Sequence, residues 1–533
     1  LKLINQPGRN AVNLIFWQRK PLLVALYYSF QNFSKKMAAK KYKILFITSE
    51  VVPFVKTGGL ADVSAALPQM LAEMGHEVRI VVPKYGAVDD RKFKIHEVVR
   101  LKDLQIKIGN KEVIFSLKSC FLPGQRVRVQ IYFLDNQEYF GSRNSLYSDP
   151  MTGKDYTDND ERFILLNRSV FELIIKLGWI PDIIHCNDWQ CGLIPAYLKT
   201  IYKDEENFDK FKTLFTIHNL AYQGEFPKAS FKKTGLPENL NTTKGLIQKG
   251  KVNFMKSGLL FADVINTVSE TYANEIRTDN QIGAGLKDVL SKRKNDLYGI
   301  INGIDTKVWN PEKDKHLPKK YSIKNYQHKM MNKQALAERF GFEFNEETPV
   351  IGLISRLFDS KGIDLVQKIL PQLLKMDIQM IVLGTGEKKY HTFFDQMARK
   401  HQDKFASYLG FNDDLAHLIE GGADILLMPS KYEPCGLNQM YSLKYGTVPI
   451  VRETGGLADT VIRFNEKRKE GTGFMFKKYD AKEFLSEIKR ALKVYEDKET
   501  WEKIVRAGMK SDFSWHSSAK KYVDLYKTIL SNN

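Results

Sequence analysis

The chain has 533 residues, 43% of them hydrophobic and 12% aromatic, which is too long for one ordinary core and too apolar for bulk disorder. Its formal charge of +19 is spread along the chain without a block of five or six basic residues, so it reads as a lysine-rich surface and not as a nucleic-acid stripe. Four cysteines (Cys120, Cys186, Cys191, Cys435) are too few for a disulfide framework, and Cys186 and Cys191 lack the second pair or histidines of a zinc site.

Residues 1–43 hold nine Lys or Arg and no acid. The apolar run "PLLVALYYSF" is too short to span a bilayer. Met37 is expected to be the natural start, with an organelle transit peptide as the alternative, and residues 1–41 are expected to lie outside the fold. At Lys43 the text changes. "KILFITSE" is a short apolar run rich in β-branched and large side chains, the signature of a buried parallel strand. A loop "KTGGLADV", a helix and a second strand at Val78–Val82 complete a βαβ unit. Further strands are expected at 131–136, 181–189, 212–224 and 262–270. The pattern restarts at 349–366, 379–387, 405–411, 423–437 and 447–459. Two alternating series predict an α/β protein of two doubly wound, Rossmann-like domains, 42–297 and 298–512. The turn-rich stretch "LYGIINGIDTKVWNP" divides them. Most of these strands end in a polar cluster, where ligands collect in open parallel sheets.

The hexapeptide TGGLAD occurs twice, from Thr57 and from Thr454. Paired glycines admit a ligand close to the backbone, and free N–H groups at a helix start favour an anion. The alternative is that each Gly-Gly only makes a tight turn. Neither copy is GxGxxG, and no GxxxxGK[ST] occurs, so nicotinamide binding and P-loop phosphoryl transfer lose their main signatures.

Together "KTGGLADV", "HNLAYQG" (218–224), "NGID" (302–305), "SRLFDSKGIDL" (355–365), "PSKYEPCGLNQMYSLKYGT" (429–447) and "ETGGLADT" resemble the bacterial-type glycogen and starch synthases, from about residue 42 to the C-terminus. The resemblance implies a GT-B fold, with the two domains facing across a deep cleft and a C-terminal helix, 513–533, crossing back to the first. It implies retaining transfer of glucose from ADP-glucose to the non-reducing 4-hydroxyl of glycogen or another α-1,4-glucan. It implies a transfer that needs no cofactor or metal and involves no nucleic acid or membrane, and the expected location is cytoplasmic, or plastid if residues 1–36 are a transit peptide. Residue chemistry leaves open a UDP-glucose user. The readings from other classes are a non-catalytic glycan-binding scaffold and a nucleic-acid-binding protein, which a turnover assay separates.

Cleavage of a sugar–diphosphate bond builds negative charge on the leaving group. Arg356 and Lys361, five apart on one loop, supply a fork donor and a point charge for it. The resemblance implies that they hold the diphosphate, that Glu433 meets the donor sugar beside the backbone of Cys435, Gly436 and Leu437, and that His218 and Asn219 line the reaction centre. It carries Lys56, Gly58, Gly59, Asp62, Tyr147, Asp188, Asn302, Thr454, Gly455 and Gly456 as further substrate contacts. Phe411 is expected either to stack on the nucleobase or to pack in the core. Two departures stand out. Many retaining GT-B enzymes carry a second Glu eight residues after the first, where this chain has Tyr441. Bacterial relatives often read His-Asp-Trp-His where this chain has Asn187 and Gln190.

Overall fold

The computed structural model describes residues 40–124 and 127–531. Met37 and the transit-peptide expectation lie outside the described residues. From Lys43 onward the chain forms one body on two large sheets and one small one.

The first sheet takes strands β1 (Lys43–Ile47), β2 (Glu77–Pro83), β3 (His96–Glu97), β4 (Leu104–Ile108), β5 (Lys111–Phe121), β6 (Gln130–Asp135), β7 (Ile183–Asn187) and β8 (Lys212–Ile217). After a small antiparallel sheet of β9 (Glu225–Pro227), β10 (Ile247–Gln248) and β11 (Lys251–Asn253), it closes with β12 (Val264–Thr267) and β13 (Leu297–Gly299). Its order is β13-β12-β8-β7-β1-β2-β6-β5-β3, with β4 on β5. The run from β13 to β6 is parallel, and β3, β4 and β5 are antiparallel additions. β4 alternates buried and exposed residues, a half-solvated hairpin unlike the mostly buried parallel strands such as β7 and β12.

The second sheet is wholly parallel: β14 (Val350–Ile354), β15 (Gln379–Leu383), β16 (Phe405–Tyr408), β17 (Ile425–Met428), β18 (Val448–Arg452) and β19 (Phe474–Phe476). Its order, β16-β15-β14-β17-β18-β19, is the doubly wound arrangement, and the connections reverse direction between β14 and β17. In the first sheet, β1 lies between β2 and β7, the corresponding point. Both points are open at the strands' carboxyl ends, where the topology places binding sites.

The helices that matter below are α1 (Gly59–Glu73), α2 (Glu270–Thr278), α3 (Ile363–Leu373), α4 (Asp413–Gly422), α5 (Asn438–Tyr445), α6 (Gly455–Thr460) and α7 (Trp515–Ser531). The chain crosses between the sheets twice, and the crossings run side by side. Ile304 bridges Ser514 in parallel, and its N–H donates to the Phe513 carbonyl at 2.8 Å. A Cβ on Gly303 would stand 2.5 Å from the Trp515 backbone, so only glycine lets the crossings meet here. α7 then lies against the first sheet. The Tyr526 hydroxyl meets His185 Nδ1 at 2.9 Å, and His185 Nε2 meets Thr216 Oγ1 at 2.6 Å. Thr216 donates in turn to Asn266, whose amide reaches the Tyr522 hydroxyl at 3.2 Å. The chain is buried throughout and each link finds a partner, as buried polar groups require.

Candidate active site

At the β14/β17 reversal the structure holds a pocket of about 210 Å³. One wall is the end of β14 and its loop, Ile354, Ser355 and Arg356; the other is the end of β17, Pro429 and Ser430; Lys361, Glu433 and the start of α5 complete it. Arg356 is exposed and makes no ion pair among the described residues. Lys361 ends a short turn before α3. The next residue, Gly362, has φ +74°, and a Cβ on it would lie 2.1 Å from the Pro429 carbonyl. That glycine lets the Lys361 loop press against the end of β17. Lys361 Nζ consequently reaches Glu433 Oε2 at 2.5 Å, and Ser430 donates to the same oxygen at 3.0 Å. Glu433 Oε1 accepts from no described residue. α5 starts on the pocket floor without a side-chain cap, so its first N–H groups have no internal acceptor and its dipole is positive toward the pocket. Guanidinium, ammonium and helix start thus converge on one volume.

A second polar cluster lies at the carboxyl ends of β7 and β8 of the first sheet. Asp188 follows β7 with φ +55°, a conformation costly for a non-glycine residue and typical of functional sites. Its carboxylate accepts the N–H of His218 at 2.7 Å and of Asn219 at 3.4 Å, and so holds the loop after β8. Burial pushes its carboxyl up to about 7, against those two amide bonds that lower it. Asn187 turns its amide nitrogen to the Ile47 and His185 carbonyls, leaving its oxygen for His218 Nε2 at 2.9 Å. The oxygen must accept, so Nε2 carries the proton and Nδ1 is left as an acceptor. Burial holds His218 neutral, with its pKa down near 3. Asn187 therefore positions the very imidazole beside it. The Tyr147 hydroxyl pairs with Ser49 at 2.7 Å, and burial raises it far above the ordinary phenol range.

The two TGGLAD loops prove unlike. Around Gly58 and Gly59 there is open space, since a Cβ on either meets nothing within 4 Å. Around Gly455 and Gly456 there is none: added Cβ atoms would stand 2.0 Å from the Glu433 carbonyl and 1.9 Å from that of Cys435. The amides of the second loop are also taken. Thr454 donates to Arg452 at 2.9 Å, Gly455 to the Glu275 carboxylate at 3.1 Å, and Gly456 to the Glu433 carbonyl at 3.1 Å. This corrects the expectation that residues 454–456 offer free backbone donors. Their glycines let α6 dock on the Glu433 loop. In the first loop, Glu50 accepts from Thr57 N–H, from Thr57 Oγ1 at 2.9 Å and from Gly58 N–H at 3.2 Å. Lys56 pairs with Asp62 at 2.8 Å, both exposed.

Asn302 is 7% exposed, and its Oδ1 is buried without a hydrogen-bond partner among the described residues. The Cys435 side chain is buried with Val268, Ile304 and Met440, and burial pushes its thiol up to about 12, so the residue offers only backbone to a ligand. Phe411 is 87% exposed, which removes core packing as its role. Tyr441 stacks face to face on Trp309, ring centroids 3.9 Å apart, and its neutral ring gives the pocket no second carboxylate. Sequence reasoning missed Glu50, Glu275, Ser430 and Asn438. Glu50 carried a signal, an acid directly after a buried strand; Glu275 lies mid-helix and carried none.

Comparison with known proteins agrees with this fold. Residues 43–292 match the family model for the starch synthase catalytic domain, and 335–508 that for group 1 glycosyl transferases. The glycogen synthase of Desulforudis audaxviator is 44% identical over 93% of this chain and 98% of its own length. Those of Geotalea daltonii and Thermotoga maritima are 45% and 43% identical, each over 92% of this chain and 99% of their own. Among solved structures, the catalytic domain of starch synthase IV from Arabidopsis thaliana, bound to ADP and acarbose, superposes with a TM-score of 0.81 at 31% identity over 92% of this chain and 100% of that one. A sucrose-phosphate synthase from Thermosynechococcus elongatus, at 17% identity and a TM-score of 0.56, shares the fold. Two Rossmann-like lobes of the GT-B type, matched along nearly their whole length, place this chain in the glycogen and starch synthase family of glucosyltransferases.

Proposed function

We propose that the enzyme takes ADP-glucose as donor and extends the non-reducing 4-hydroxyl of an α-1,4-glucan with retention, in the cytoplasm. Residues 42–297 form the acceptor side, 298–512 the donor side, and 513–533 the strap between them. The observation that carries the reading is the convergence of Arg356, Lys361 and the α5 start on one pocket beside Glu433. As the bond from C1 to the diphosphate oxygen breaks, the electron pair leaves with ADP. Arg356, Lys361 and the α5 amides meet that charge where it develops, which is the condition for lowering the barrier. The acceptor 4-hydroxyl oxygen bonds to C1 from the same face, and its proton passes to the departing phosphate.

Glu433 Oε1 accepts from the glucose hydroxyls, with the Asn302 Oδ1 acceptor alongside. Neutral His218, with Nδ1 unprotonated, accepts from a sugar hydroxyl on the opposite wall, where Asn219, Tyr147 and the open Gly58–Gly59 loop complete the surface. Lys56 and Asp62 close that side, and the exposed Phe411 ring stacks on the base. The test offers ADP-glucose and UDP-glucose separately with glycogen, measuring nucleotide release and chain growth together. Coupled release and growth with ADP-glucose support the reading. Preference for UDP-glucose overturns the donor assignment, and no growth with either overturns the activity.

A further inference from the structure

Away from the pocket, α4 and the stretch that follows the first crossing build a second cluster. Asp314 is buried, and its Oδ2 accepts from His417 Nδ1 at 2.7 Å and from the Tyr445 hydroxyl at 2.5 Å. The ring is clamped further by Trp309, stacked on it with centroids 3.8 Å apart and planes within 5°. Because Nδ1 donates to a carboxylate, the neutral ring carries a bare lone pair on Nε2. That nitrogen is buried, the side chain is 1% exposed, and Nε2 has no hydrogen-bond partner among the described residues. Two other ligand types stand beside it. Asp413 is four residues earlier on α4 and so shares its face. The His316 ring centroid lies 4.6 Å from that of His417. One ligand-capable atom from each of His316, Asp413 and His417 lies within 4.8 Å of the other two.

We propose that these three residues bind a divalent transition metal, Zn²⁺ by donor set, at a site separate from glucosyl transfer. Two imidazoles and a carboxylate suit zinc and its neighbours, and not the all-oxygen preference of calcium or magnesium. The supporting shell is already present. His417 Nδ1 donates to Asp314, and His316 Nδ1 stands 2.7 Å from Asp414 Oδ1. A carboxylate on the far nitrogen is the arrangement that fixes tautomer and ring direction in histidine metal sites. With bonds of about 2.0–2.1 Å, a tetrahedral ion needs its ligand atoms about 3.4 Å apart. His417 is immobile, so closure falls to Asp413, which is exposed, and to His316, which is partly so. The ion would pin the 312–316 stretch to the N-terminal turn of α4, with water as fourth ligand.

The test uses tag-free full-length protein, stripped with chelator and dialysed, then titrated with Zn²⁺ against a chromophoric competitor and, separately, with Co²⁺. One Zn²⁺ per chain is expected, along with Co²⁺ visible bands of tetrahedral strength and a higher unfolding temperature with zinc. His316→Ala and Asp413→Ala are expected to weaken binding at least about tenfold each and to abolish the zinc-dependent stabilisation. Neither residue touches the transfer pocket, so glucosyl transfer without zinc remains at the parent rate and reports an intact fold. With ten histidines in the chain, binding unchanged by both substitutions places the ion elsewhere and overturns the proposal. So does the absence of stoichiometric binding, which leaves Nε2 to a buried water.

Discussion

Replacing Lys361 by alanine isolates the central claim about the leaving group. The ammonium is 23% exposed and 2.5 Å from Glu433 Oε2, in a pocket that already contains Arg356. Removing one preorganised donor to a developing oxyanion costs about 3 kcal/mol in the transition state. At 1.36 kcal/mol per tenfold, kcat falls about 150-fold. The substitution also leaves Glu433 with only the Ser430 hydroxyl, so a second variant, Lys361→Ala with Glu433→Gln, separates loss of the cation from exposure of an unpaired acid. The assay is initial-rate ADP release at saturating glycogen, with kcat and KM for ADP-glucose resolved, beside a denaturant melt to verify folding. A loss mainly in kcat places the cation at the transition state; a loss confined to KM assigns it to ground-state binding. A folded variant whose kcat stays within about threefold of the parent, under ~0.7 kcal/mol, would refute the leaving-group argument.

The two glycine loops should respond oppositely to alanine. Gly456→Ala meets the Cys435 carbonyl at 1.9 Å and should lower urea-melt stability by about 1–3 kcal/mol, whereas Gly59→Ala, at the start of α1 with open space around it, should lose no stability and change only turnover. The Asp188 carboxyl is raised from 3.8 to about 7, so the folded state holds the extra proton. Stability from this group is complete below 3.8 and lost as pH rises through about 7. Asp188→Asn should flatten that part of the pH–stability curve, and an unchanged slope would contradict the assignment. His218, near 3 and neutral throughout the working range, should set no limb of the pH–rate profile. His218→Ala should lower kcat while leaving the profile's shape between pH 5 and 9 intact, and loss of a limb in that variant would show that the imidazole titrates.

Most parallel strands of both sheets were legible because they are apolar runs ended by a polar cluster, and burial on both faces leaves such a strand little choice of composition. Lys43–Ile47 and Gln379–Leu383 are examples. Of the edge strands only Phe405–Tyr408 was, and the hairpin strands were not. The alternation in Leu104–Ile108 is short, and three-residue strands such as Phe474–Phe476 are defined by the neighbour they pair with. At the site, the spacing of Arg356 and Lys361 on one loop made a fork donor and a point charge legible, while their diphosphate role and the place of Glu433 at the donor sugar came only through the family resemblance. Ser430 and Asn438 matter because β17 ends and α5 begins on the pocket, which composition does not encode. Glu275 matters because α2 faces α6 from the other lobe, 180 residues away in sequence from the Gly455 amide it accepts.

The doubled hexapeptide shows where the limit falls. Both copies start a helix, and both turn their first amides to a carboxylate of the protein, Glu50 for the first and Glu275 for the second. Identical local sequence thus yields nearly identical local chemistry: a threonine and a glycine N–H wrapped around an acid at a helix start. What differs is the environment. The carbonyls of Glu433 and Cys435 lie against the second Gly-Gly and nothing lies against the first. The acids of the motif diverge for the same reason: exposed Asp62 takes Lys56 from its own loop. Asp459 instead reaches across to Ser269 at 2.6 Å and to the Thr271 N–H at 3.1 Å, tying α6 to the α2 turn of the other lobe. One copy therefore faces the cleft and the other fastens its walls together. Any movement that opens the lobes must first release Glu275 and Asp459 from these partners, and the amides of the second loop become free only then.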